Sequence, residues 1–317
     1  MDDYDLYPPK PELIEQKQKS NPSLTFFSLV LFVLAFMLVF GDEINFIIYL
    51  LIVLLIHEFG HFMAMKFFGY KNVRMMFIPL MGAFVQGKKR NYSQRQSFIV
   101  VLSGPIPGMF LGAFLMWYGN YMHSYWLVEL SSLFLVLNLV NLLPLDPLDG
   151  GQLFKLFIRK NNELFLMIFA LISSLMIISL GWILSSTIII LFGFFMAFRV
   201  RALQKQFQMH KDLESEDVNY FTQYKLLSNH DFLKIKEVVL THTPPLRKYV
   251  DQVSSEEAAP ILASQVNNVL STPIEKDTNT IFKILVITLW MSSFLLPYLL
   301  YKTLDLNWLM SVWAFYD

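Results

Sequence analysis

Long apolar runs dominate this chain, and several match the roughly 17–25 residues that a helix needs to cross a hydrocarbon core about 30 Å thick. With 55% hydrophobic and only 16% charged residues in 317, a multi-pass membrane protein is the class that accommodates them. Membrane helices are predicted at about Leu24–Phe40, Ile44–Phe68, Phe98–Tyr118, Trp126–Leu145, Leu164–Leu180, Trp182–Phe198 and Ile281–Tyr301. The fold class expected is therefore an all-α polytopic membrane protein with about six to seven transmembrane helices. The fifth and sixth are separated only by Gly181-Trp182, so one long tilted helix is the alternative there.

Basic residues in the connections set an expected orientation. Lys10, Lys17 and Lys19 precede the first helix, whereas Gly41-Asp42-Glu43 after it has no basic residue, so the N-terminus is expected in the cytoplasm. Lys66, Lys71, Arg74, Lys88-Lys89-Arg90 and Arg95 follow the second helix, and Lys155, Arg159 and Lys160 follow the fourth. Arg199, Arg201 and Lys205 follow the sixth, while the stretch 119–125 lacks Lys and Arg, as an outer loop should. The chain starts with Asp2-Asp3 where a secretory signal carries positive charge, so the first apolar run reads as a retained anchor. Four parts are expected: a polar cytoplasmic segment over 1–23, a membrane core over 24–198, a small cytoplasmic helical module over 199–280, and a last membrane helix with a short tail over 281–317.

Formal net charge is zero, which gives no case for nucleic-acid binding. The absence of cysteine removes disulfides, thiolate ligands and cysteine nucleophiles. Six histidines remain, and two of them fall inside the second apolar run, where ionisable groups are costly and usually functional. His57 and His61 are four residues apart, so on a helix both imidazoles leave one face and can meet a single ion. With Glu58 they form a His-Glu-x-x-His pattern, in which the histidines bind zinc and the glutamate takes a proton from the metal-bound water. The alternative for the two histidines is interhelical hydrogen bonding.

Zinc in a catalytic site usually has three protein ligands. The best source of a third is the stretch from Asn138 to Gly151, where carboxylates, prolines and glycines interrupt an apolar helix. In the expected topology the second and fourth helices end at one level, which lets Asp149 reach the metal. Asp146 is a rival, and capping of the next helix is the alternative role for Asp149.

His57-Glu58-Phe59-Gly60-His61 together with Asn141-Leu142-Leu143-Pro144 and Leu148-Asp149-Gly150-Gly151 resembles the site-2 protease family of intramembrane metalloproteases, peptidase family M50. Ser103-Gly104-Pro105 resembles a small-residue motif of that family. The resemblance implies one Zn²⁺ per chain held by His57, His61 and Asp149, with Glu58 as catalytic base and Asn141 positioning substrate or stabilising its oxyanion. The stretch Phe77–Val85 resembles a membrane-associated β-hairpin beside the family's active site, so Gly82, Ala83 and Phe84 are expected to bind substrate as an added strand. One position departs: many relatives have asparagine where this chain has Gly108, and Gly104, Gly108 and Gly112 instead form a small face suited to close helix packing.

The expected function is zinc-dependent cleavage of transmembrane or membrane-proximal protein substrates within a lipid bilayer. The site is expected towards the cytoplasmic face of a prokaryotic cytoplasmic membrane, with residues 199–280 as the place for a regulatory partner. The competing readings are a catalytically silent membrane-embedded binder and an ion-coupled transporter, for which no paired inverted repeat is visible.

Overall fold

The computed structural model describes residues 7–14, 22–41, 43–79, 82–89, 91–158, 163–271 and 274–304. Lys17, Lys19, Arg90, Arg159, Lys160 and the tail after 304 lie outside the described residues, as does most of the segment 1–23. Among the described residues, six helical spans are long and apolar enough to cross a membrane, and the helix Tyr125–Asn141 is a shorter apolar one. The chain is thus a mainly helical, polytopic membrane protein.

Helices α1 (Pro22–Phe40) and α2 (Ile44–Phe67) lead into an antiparallel hairpin of β1 (Lys71–Ile78) and β2 (Gly82–Lys88). The hairpin is longer than the apolar stretch 77–85 implied, because Lys71, Arg74 and Lys88 extend both strands. Gly82 takes φ +109 at the corner, a conformation that L side chains rarely adopt. On the outer side of β1, hydroxyls of α1 take up main-chain groups: Thr25 Oγ1 donates to Met75 O at 2.8 Å, and Phe77 N donates to Ser28 Oγ at 3.2 Å. Among the described residues no comparable bond reaches the main chain of Gly82–Val85 from outside the hairpin. The outer edge of β2 is therefore the open one.

A short strand β3 (Tyr92–Ser93) precedes the third crossing, which is broken into α3 (Gln94–Leu102) and α4 (Pro105–Tyr121) rather than being the continuous helix expected from its hydropathy. Ser93 caps α3 through Gln96 N, and Pro105 sits at the start of α4, where its missing N–H costs nothing. The break lets the backbone at Ser103-Gly104 press against α2. A Cβ on Gly60 would collide with the Ser103 carbonyl, and one on Gly104 would collide with the His61 ring.

Helix α5 (Tyr125–Asn141) stops four residues before the predicted end, and a loop leads into α6 (Asp149–Phe157). Phe98, Leu102, Met109, Leu135, Leu142, Leu153 and Val286 form one buried cluster that joins α3, α4, α5 and α6 to the last helix, α12 (Thr280–Thr303). From α12, Trp290 Nε1 donates to the Leu142 carbonyl at 2.8 Å, so the last helix buttresses the loop that follows α5.

Helices α7 (Glu163–Ile183) and α8 (Thr187–Ser215) are two helices, with the turn at Ser185 (φ +52) rather than at Gly181-Trp182. Gly181 instead lies against Ile190 of α8. Helix α8 continues through position 199 without a break, and its far end packs with a 3-10 turn (Tyr224–Leu226), α9 (Asn229–Thr241), α10 (Pro244–Gln252) and α11 (Ser255–Val269). Leu213, Ile235 and Val266 are fully buried there. His210 of α8 bonds to the Glu163 carboxylate at the start of α7 and to Val269 O. The N-terminal residues 7–14 lie on the same module, where Lys10 Nζ donates to Tyr224 O at 2.8 Å and Leu13 packs on the core. Strand β4 (Ile274–Glu275) then pairs with β3 before α12.

Candidate metal centre

Lipid-facing and interior residues alternate sharply along the second half of α2. Phe59 and Met63 are more than half exposed, whereas His57, Glu58 and His61 are buried on the opposite face. The helical spacing that places both imidazoles on one face thus aims them at α3, α4 and α5 instead of at lipid. Asp149, the first residue of α6, brings its carboxylate to the same point. Its Oδ2 is 3.0 Å from His57 Nε2 and 3.1 Å from His61 Nε2, and the two Nε2 atoms are 3.2 Å apart.

Hydrogen bonds on the far side of each ring fix what those three atoms offer. His61 Nδ1 faces the Val100 carbonyl at 2.8 Å, which can only accept. His57 Nδ1 faces Asn138 Oδ1 at 2.8 Å, and the amide is held that way round because its Nδ2 donates to Phe134 O at 2.7 Å. Both Nδ1 atoms therefore carry the proton, and in the neutral imidazoles that a metal requires both Nε2 atoms present lone pairs to each other and to the carboxylate. Three converging acceptors repel one another unless a cation lies between them. Their mutual spacing is close to the edge of a tetrahedron with ligand bonds of about 2.0–2.1 Å, as zinc prefers. Glu58 adds a buried Oε2 with no hydrogen-bond partner among the described residues. A buried carboxylate oxygen left unpaired is costly, which fits a group awaiting water or substrate. The donor set thus fits a zinc ion.

Asp149 is turned towards the histidines, while Leu148 holds the cap position of α6 without a side-chain bond. Asp146, the rival, points elsewhere: its carboxylate pairs with Lys155 and, at 3.3 Å, with Arg199 of α8, and its N–H donates to Ser173 Oγ at 3.0 Å. It ties the loop that carries Asp149 to α7 and α8. Asp146→Ala is expected to lower stability by about 2 kcal/mol, since it strands a largely buried Lys155, with Arg199 half exposed and contributing less. Thermal unfolding in detergent measures this.

Gly150 and Gly151 sit in the first turn of α6 outside the positive-φ region, so what they serve there is close approach. A Cβ at either would collide with the carbonyls of Leu142 or Leu145. The small face on α4 does pack closely: Gly108 lies against Asn138, and Gly112 against Phe134 and Leu135 of α5.

A cavity of about 330 Å³ opens beside the three ligand atoms. It is lined by His57, Glu58 and His61, by Asn141 at the end of α5, by Gly82–Val85 of β2, and by Phe192 and Met196 of α8. All the site residues expected from sequence thus border one space. The sequence reading gave no role to Asn138, although a polar residue one turn before Asn141 in an apolar helix was a visible signal. Elsewhere, His210, His230 and His242 pair with Glu163, Asp231 and Asp212, away from this centre.

Residues 45–132 match the model of Peptidase family M50, a segment that contains His57, Glu58 and His61 but ends before Asn138 and Asp149. The chain is 31% identical over 113 residues to Stage IV sporulation protein FB of Bacillus subtilis (strain 168). That match covers 35% of this chain and 39% of the relative, so the chain spans about two fifths of the relative's length. Among solved structures it is similar to the site-2 protease from Methanocaldococcus jannaschii, with 22% identity and a TM-score of 0.44, covering 55% of this chain and 87% of that one.

Proposed function

We propose that this chain, in which residues 45–132 are similar to peptidase family M50, is a zinc-dependent intramembrane endopeptidase cutting membrane proteins in or near their transmembrane segments. The observation that carries the reading is the convergence of His57 Nε2, His61 Nε2 and Asp149 Oδ2 beside an unpaired buried Glu58 and an open strand edge. Zinc held by His57, His61 and Asp149 would supply Lewis acidity and bring the pKa of its water to about 7.

Glu58 is the proton acceptor for the attacking water and later returns that proton to the leaving amine. Asn141, on the cavity wall, offers its amide N–H to the oxyanion formed at the scissile carbonyl; donors of this kind contribute about 3 kcal/mol. A helical substrate hides its amides, so the segment to be cut must first unwind. The open edge of β2 offers main-chain partners to that extended segment, with Gly82, Ala83 and Phe84 lining the cavity. The active site faces the cytoplasmic side in this reading, and the module built on α8–α11 is where a regulatory partner would act.

Successive N–H groups along a strand point to opposite edges, so prolines placed singly at Ala83 and Phe84 separate pairing with β1 from substrate pairing. One variant should lower thermal stability. The other should keep it yet lose cleavage of a helical substrate by about tenfold or more, at the level of one or two main-chain bonds. Equal cleavage of helical and pre-extended substrates by both variants would contradict strand addition.

A further inference from the structure

Asn138 is fully buried, and both ends of its amide are committed: Nδ2 to the Phe134 carbonyl of its own helix and Oδ1 to His57 Nδ1 at 2.8 Å. Opposite it on α4 stands Gly108, and a Cβ there would run into the Asn138 carboxamide. The space that holds the amide therefore exists because residue 108 has no side chain. His61 has its own orienting acceptor in Val100 O, which no substitution of a side chain removes. His57 depends on a side chain alone.

We infer that Asn138 is the positioning residue of His57, fixing its Nδ1–H tautomer and aiming Nε2 at the metal point, and that Gly108 is the matching small residue that admits it. This rests on the zinc reading above. An outer partner of this kind orients the ligand ring and raises its basicity, and its loss typically weakens metal affinity about 10–100-fold. Asn138 is placed to act through His57, not on substrate, because it is fully buried and does not line the cavity.

Zinc affinity by chelator competition in detergent, with thermal unfolding of the metal-free proteins alongside, tests the assignment. Asn138→Ala should weaken zinc binding by about 10–100-fold. Asn138→Asp also gives up the bond to Phe134 but keeps an acceptor for His57 Nδ1–H, and should stay within about threefold of wild type. Gly108→Ala, which keeps Asn138 but pushes its amide aside, should weaken binding in the same direction as Asn138→Ala, and serves if that variant does not fold. Zinc binding unchanged in Asn138→Ala would overturn the inference. So would equal weakening in the Ala and Asp variants with an equal drop in metal-free stability, since that pattern marks packing alone. A wild type that binds no zinc would instead overturn the metal reading itself.

Discussion

Glu58→Gln should yield a protein that loads zinc as wild type does and cuts a single-pass membrane substrate about 10²–10⁴-fold more slowly. The substitution preserves the volume of a side chain buried beside His57 and His61, and Glu58 supplies none of the three converging ligand atoms. What it removes is the ability of Oε2 to accept a proton. Cleavage rate and zinc content measured on one preparation separate the two effects. A rate within tenfold of wild type would show that another group takes the proton.

Asp149→Ala should fail at an earlier step. Without its Oδ2, the centre keeps only two nitrogen ligands, below the three that zinc usually receives from protein in a catalytic site. Zinc affinity should fall beyond the roughly 100-fold typical of losing an outer partner, with cleavage lost alongside. Asp146→Ala is the informative neighbour. It lies three residues away and is more deeply buried, yet it should cost stability while leaving zinc affinity within a few-fold, because its partners are Lys155 and Arg199. If the two variants behaved alike, loop integrity and not ligation would explain Asp149.

Much of this centre was legible because it obeys local rules. Helical periodicity alone puts His57 and His61 on one face, and buried charge in an apolar run needs a partner or a task. The need for a third ligand and the broken backbone pointed to the stretch that holds Asp146 and Asp149, and the choice of Asp149 came from the family resemblance. Asn138 was not legible, because in a single sequence an asparagine in an apolar helix reads equally well as a packing residue. Its role appears only when α5 is set against both α2 and Gly108 of α4. The break at Ser103-Gly104 had a local signal in Gly-Pro, but hydropathy does not reveal that α2 crosses closely enough there to need a missing side chain. Hydropathy also ended the sixth crossing at Phe198, whereas α8 carries on to Ser215 because its later apolar residues, Met209 and Leu213, face the module core instead of lipid.

The most direct test of the central claim is cleavage of a single-pass membrane substrate by the wild-type chain in liposomes, followed through removal of metal by a chelator and stepwise return of zinc. Cleavage should vanish on stripping and return in proportion to zinc, saturating at about one ion per chain, as three ligands converging on one point imply. Cleavage that persists in the stripped protein, or a wild-type chain that takes up no zinc, would contradict the account.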